Sequence, residues 1–169
     1  MAARAALCLM VELALRRCET GDRPALARML ELYQYELSHI WDQDLDANGE
    51  YGYDLENFWR SPTCLAFIAT VAGRYAGFAT VDRRVKIGPE GWWMDQFFVL
   101  KKYRRAGVGA ALAAHVFEAL PGDWEVGQMP ANLPAQAFWR RIIAARGHFI
   151  EHRLEQGRWT GIVQRFHSA

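Results

Sequence analysis

The sequence predicts one α/β domain built on a mixed sheet. Three observations carry that expectation. The chain has 169 residues, 51% of them apolar and 23% charged, which is ordinary for one globular domain. The apolar period switches repeatedly between helical and alternating. The resulting order is β-α-α-β-β-β-α-β-α-β-β, with no repeat, low-complexity tract or linker to divide it. The domain is expected to span 11–169, after a loose tail over 1–10.

"VELALRRC" (11–18) reads as the first strand. "TGDRP" then gives helix-start signals, with Asp22 as N-cap and Pro24 in the first turn. Apolar residues at 26, 29, 30, 33 and 37 keep helical spacing. "SHIWDQDLDANGEYGYD" is a polar and aromatic loop, and "DLENFWR" a short helix stopped at Ser61-Pro62. "CLAFIATVAGRYAGFATVDRR" (64–84) is two apolar runs around Gly73-Arg74, a β-hairpin. "GWWMDQFFVL" (91–100) is a strand. "GVGAALAAHVFEAL" (107–120) is a helix ended by Pro121-Gly122. "WEVGQM" is a short strand, "LPAQAFWRRIIAA" a helix, and the last twenty or so residues two strands joined near Gln156-Gly157.

Composition excludes several classes. A net charge of +1 offers no general attraction for nucleic acid or an anionic membrane. No run of about 18 apolar residues exists, so no membrane span is expected. The faint signal-peptide look of "MAARAALCLMVELAL" is interrupted by Glu12 and lacks a cleavage site. Three cysteines, Cys8, Cys18 and Cys64, without CxxC spacing argue against a disulfide framework or zinc and for a reducing, cytoplasmic setting. "DQDLDANGEY" places Asp42, Asp44 and Asp46 at calcium-ligand spacing, but Ala47 and Tyr53 stand where such a loop needs Gly and Glu. No metal is expected.

Chemistry concentrates in "DQFFVLKKYRRAGVGAALAAHVF". A strand ends near Leu100, a basic turn follows, and Gly107 and Gly109 open a helix. Free N–H groups at a helix start attract phosphate. Glycine lets a ligand approach the backbone. Lys101, Lys102, Arg104 and Arg105 add positive charge. The P-loop pattern fails, because Gly109 is followed by Ala110 and Ala111. The dinucleotide fingerprint is incomplete at Leu112.

The pattern Arg104-Arg105-Ala106-Gly107-Val108-Gly109, preceded by "FFVLKKY", resembles the acetyl-CoA motif of the GNAT family, the GCN5-related N-acetyltransferases. "NLPAQAFW" is similar to that family's later Asn-x-x-Ala-x-x-Phe-Tyr segment, and "TGDRPALARML" to its first helix. The resemblance implies a mostly antiparallel mixed sheet of about six or seven strands, flanked by about four helices, with a splayed strand pair forming the acyl-CoA cleft. It implies amides from Arg104 through Ala110 on the pyrophosphate, and pantetheine paired along Phe98, Val99 and Leu100. A main-chain N–H near Val99 would polarise the acetyl carbonyl, and Asn132 would contact the cofactor. Acetyl-CoA is the implied cosubstrate. The implied acceptor is a small-molecule amine or a protein amino group, attacking the thioester directly, and the resemblance admits a homodimer.

Asp95, four residues before Val99, is the candidate base through water; its alternative role is to orient neighbours or cap a bulge. The family's common Tyr, the acid for the leaving thiolate, falls on Trp139, whose indole donates but does not ionise usefully. Trp139 is expected to point at the thioester and Phe138 to anchor the helix. Tyr51, Tyr53 and His39 are the more distant candidate acids. Tyr33, Glu36, Trp41 and Trp93 are the candidate acceptor-binding residues, within an acidic and aromatic region (Tyr35, Asp42, Asp44, Asp46, Tyr51, Tyr53) that suits a cationic amine. Of Trp92 and Trp93, one is expected in the core and one at the acceptor pocket. His115 reads as a packed helix residue, and Arg140 and Arg141 as a solvated face from which one could meet a CoA phosphate. The alternative function is a degenerate domain of this kind that binds acyl-CoA as a sensor or interaction module.

Overall fold

The computed structural model describes residues 12–53, 55–155 and 159–169. The expected tail over 1–10 and the turn at Gln156-Gly157 lie outside the described residues. Strands and helices run in the expected order: β1 (Leu13–Arg17), α1 (Arg23–Trp41), α2 (Leu55–Arg60), β2 (Leu65–Val71), β3 (Arg74–Asp82), β4 (Trp92–Val99), α3 (Val108–Ala119), β5 (Gly122–Gln128), α4 (Leu133–Ala144), β6 (Phe149–Leu154) and β7 (Gly161–Ser168).

One seven-stranded sheet has the order β1-β2-β3-β4-β5-β7-β6. Every pairing is antiparallel except β4 with β5, which is parallel. Two cores follow from the alternation of side chains on the strands. Phe67, Ala69 and Val71 join Leu112, Val116 and Phe117 of α3 on one face. Ala66 and Ile68 join Leu26, Met29 and Leu30 of α1 on the other. No described helix is long and apolar enough to cross a membrane.

Three local expectations are corrected. The hairpin between β2 and β3 turns at Ala72-Gly73 (φ 49° and 72°), one residue earlier than expected, because a two-residue turn of the primed type needs positive φ at both centres. Helix α1 runs to Trp41, so His39 and Trp41 are helical rather than in the loop; Asp42 then ends it in a left-handed conformation. Asp22 stands at the N-cap of α1 without a side-chain cap bond to it. Its carboxylate instead takes Arg16 Nη2 at 2.8 Å, Tyr75 Oη at 2.9 Å and the Glu19 amide at 2.8 Å, tying β1 and β3 to the start of α1.

Candidate active site

The site begins where β4 and β5 part. They pair only at Trp92–Met94 with Trp124–Val126, and beyond that the strands separate. A β-bulge sets the parting off. Thr80 opposes Gln96 and Val81 opposes Met94, which leaves Asp95 as the extra residue. The bulge turns Asp95 and Gln96 to the Tyr53 side, where Tyr53 Oη donates to Asp95 Oδ2 at 2.6 Å. It also turns Phe97 towards α4, where its ring meets Trp139 at 4.8 Å and Phe138 at 5.7 Å.

Past the bulge, the β4 edge facing β5 has no strand partner. The Leu100 amide bonds Ala76 O at 2.9 Å, so Leu100 and Phe98 face β3. Peptide groups alternate sides along a strand, and Phe97 and Val99 therefore point into the gap. The Val99 carbonyl accepts Arg104 Nε at 2.7 Å. Among the described residues, the Phe97 and Val99 N–H groups meet no backbone acceptor in the gap.

A cavity of about 760 Å³ fills the parting, within the size range of ligand sites. Of the cofactor residues expected from the sequence, Phe98, Val99, Arg104, Arg105, Gly107, Gly109, Ala110 and Asn132 line it. Leu100, Ala106 and Val108 do not; the Val108 side chain opens α3 and is fully buried, so only its amide is offered at the helix start. Gly107 takes φ 85°, a conformation costly for other residues, and caps α3. The Ala111 amide is the first to close a helical bond, to Gly107 O at 3.0 Å, which leaves the amides of Val108, Gly109 and Ala110 as free donors.

The charges differ from the expected set. Arg104 is not a free phosphate cation: Glu36 takes both its terminal nitrogens, at 2.6 and 2.7 Å. That bond, more than nearby charge, holds the Glu36 carboxyl below its usual range. Arg105 and Arg141 also line the cavity, and neither has an ion-pair partner among the described residues. Arg140 points elsewhere, to Glu151 at 2.7 and 2.8 Å. Asn132 uses its Oδ1 to cap α4 through the Ala135 amide at 3.3 Å.

Behind Phe97 and Trp139 lies a second pocket of about 250 Å³. Tyr33, Phe97, Asn132 and Trp139 line both spaces, so they mark the junction. Asp95, Gln96, Trp41 and Trp93 line the second pocket alone. Burial raises the Asp95 carboxyl above its usual range, against the Tyr53 bond that lowers it. Tyr53 is raised too, chiefly by burial, so its phenol stays a donor. Trp92 stacks on Trp124 in the core, while Trp93 packs on Trp159 at the second pocket.

The aromatic pair of α4 is more mixed than expected. Trp139 is 5% exposed and packs into the core against Phe117, yet it reaches both spaces. Phe138, expected to be the anchor, is the more open of the two and lines the large cavity. Asp42, Asp44, Asp46, Tyr35, Tyr51 and Tyr53 line neither space. Asp46 instead closes its own loop, accepting the Asn48 and Glu50 amides at 2.8 and 2.9 Å.

The sequence reading missed Arg84, Lys86 and Gln96, which also line the second pocket. Gln96 stood beside Asp95 in an otherwise apolar strand, and that polar pair was a legible sign of a bulge. Nothing in "DRRVKIG" marked Arg84 or Lys86, because their position depends on how the β3–β4 loop folds back.

Residues 26–143 match the model of the acetyltransferase (GNAT) family, and the chain belongs to that family. In structure it resembles an acetyltransferase from Thermus thermophilus (19% identity, TM-score 0.65, covering 92% of this chain and 96% of that one). It also resembles the ribosomal-protein-S18-alanine N-acetyltransferase of Escherichia coli (19% identity, TM-score 0.62, 93% and 94% covered). A third similar structure, yncA of Salmonella typhimurium, holds acetyl-CoA as its cofactor (13% identity, TM-score 0.62, 94% and 95% covered). No curated protein matches the sequence.

Proposed function

We propose that this chain is an acetyl-CoA-dependent N-acetyltransferase in which an amine attacks the thioester directly. The observation that carries the reading is the open β4 edge, with the Val99 amide facing the large cavity and the Phe97 amide where that cavity meets the second pocket. Acetyl-CoA would supply the activated acetyl group. The amides of Val108, Gly109 and Ala110, with Arg105 and Arg141, would hold its phosphates. The Val99 amide would align the pantetheine arm as an added strand does. The open amides near Val99 would also stabilise the oxyanion that develops on the acetyl carbonyl. Asp95 would take the amine's proton, directly or through water.

A proton donor for the thiolate is needed where Trp139 replaces the family's Tyr. Tyr33 is the one phenol lining both spaces among the described residues. Burial first, then the charges of Asp95 and Glu36, raise its pKa, so it stays protonated and would steady the leaving sulfur as a hydrogen-bond donor, with water supplying the proton. Half-buried Cys18 and Cys64, both free thiols, support a reducing compartment.

CoA release measured across amines, polyamines, aminoglycosides and peptides tests this reading. Turnover with at least one acceptor is expected. Tight acetyl-CoA binding with no turnover on any would support the acyl-CoA-binding module instead, the reading that Trp139 favours. Trp139→Tyr is expected to keep kcat equal or raise it, because a phenol can both donate and ionise. It should cost roughly 0.5–3 kcal/mol of stability, measured by urea unfolding, since the larger ring packs the core. A folded variant with kcat well below the parent would reject the thiol-facing role.

A further inference from the structure

The second pocket is not lined like a polycation site. Arg84 and Lys86 both face it, and Asp95 is the one carboxylate in its lining among the described residues. Arg84 is already engaged: Asp82 holds its Nε at 2.7 Å and Nη2 at 2.5 Å, and Nη2 reaches Asp95 Oδ1 at 3.6 Å. Lys86 is different. Its ammonium lies 4.6 Å from the centre of the Trp93 ring and has no ion-pair partner among the described residues. Burial of that ammonium lowers its pKa, opposed by the carboxylates of Asp82 and Asp95.

Lys86 is also held in place by the fold. Glu125 accepts the amides of Lys86 at 2.5 Å, Ile87 at 3.1 Å and Gly88 at 2.7 Å, and binds Arg165 Nη1 at 3.0 Å. Burial works against the Glu125 charge, but these donors together keep its carboxyl below the usual range. Gly88 has no room for a Cβ, which would collide with the Arg165 guanidinium. The backbone that presents Lys86 is therefore fixed to β5 and β7, which sets where its side chain joins the pocket lining.

Lys86 thus keeps a half-buried positive charge in the lining, held over Trp93 with no ion-pair partner among the described residues, and an incoming carboxylate would complete its pairing. At the other end of the charge pattern, Asp95 is the acceptor suited to an ammonium group, with the buried Gln96 Oε1, unpartnered among the described residues, beside it. The space is about 250 Å³, below the range of drug-sized ligands, with Trp93 and Trp159 forming an apolar wall. We infer that the acceptor is a small zwitterion of the amino-acid type, its ammonium received at Asp95 and its carboxylate, a few bonds away, at Lys86. This rests on the acetyl-transfer reading and narrows its acceptor.

The test uses the full chain, acetyl-CoA, and three acceptor sets: the common amino acids, their carboxamides, and spermidine. CoA release is followed for each. At least one amino acid is expected to exceed its own amide in kcat/KM by roughly 10- to 100-fold, the scale of one charge-assisted hydrogen bond. Lys86→Gln should collapse that acid-to-amide ratio about tenfold or more, and Lys86→Arg should restore most of it. Amides or spermidine used as well as the acids, or a ratio unchanged in Lys86→Gln, would overturn the inference and leave acetyl transfer standing. No release from any of these acceptors would overturn the inference, and no release from the aminoglycosides and peptides as well would overturn both.

Discussion

Gly109→Asp is expected to weaken acetyl-CoA binding severely while leaving the protein folded. The position can accept a side chain: a Cβ there meets Phe138 ring carbons at 3.4 Å and Val99 Cγ2 at 3.5 Å, ordinary contact distances. A carboxylate in the first turn of a helix is itself favourable to the helix. It would sit among the free amides of Val108, Gly109 and Ala110 and occupy the site that the phosphates need. Losing charge-assisted bonds worth about 1.5–3 kcal/mol each, and meeting a like charge, should weaken binding by roughly 100-fold or more. Gly109→Ala adds the same Cβ without the charge and should stay within a few-fold of the parent. Isothermal titration with acetyl-CoA, beside a thermal unfolding curve, reads both. Equal weakening by Ala and Asp would mean that shape, not anion recognition, sets the site.

Asp95→Asn is expected to lower kcat by roughly 10²–10⁴-fold, the usual contribution of a positioned base. Asn keeps an oxygen for the Tyr53 phenol, so the geometry at 2.6 Å survives while the basicity is lost. Burial raises the folded pKa of Asp95, so the acid limb of the parent's kcat/KM profile should lie above the ordinary carboxylate range. The stability sign runs the other way. Below the unfolded pKa the carboxyl is neutral in both states and costs nothing. As pH rises through the raised folded pKa, the buried charge destabilises the native state. At neutral pH Asp95→Asn should therefore unfold no more easily than the parent, and the loss of rate is not a loss of fold. An unchanged acid limb in the variant would remove Asp95 from proton transfer.

The fold was legible because its signals are local. The switch of apolar period marks strands and helices, Pro24 and Pro134 mark helix starts, and Gly107 and Gly109 mark the turn before α3. Much of the lining of the large cavity was legible for the same reason, since strand, turn and helix start are contiguous in "FFVLKKYRRAGVG". The second pocket was not. Its lining comes from α1, the β3–β4 loop, β4, β5, the turn into α4, α4 itself and Trp159, joined only by tertiary folding. Charge counting in the Asp42–Asp46 loop pointed to an acidic pocket, but those side chains close their own loop or lie exposed. Arg104 read as a phosphate ligand because nothing near it in sequence shows Glu36, which is 68 residues away. Trp139 could be placed on α4 but not on one side or the other of the core–cleft boundary, because it belongs to both.

The gap between β4 and β5 is the proposed thioester site, served by the amides at the start of α3. A crystal structure with bound CoA decides it. The expected result is pyrophosphate on the amides of Val108–Ala110, the pantetheine arm beside Val99, and the thiol at the junction of Phe97, Tyr33 and Trp139. CoA bound elsewhere, or with its thiol end away from that junction, would contradict the account.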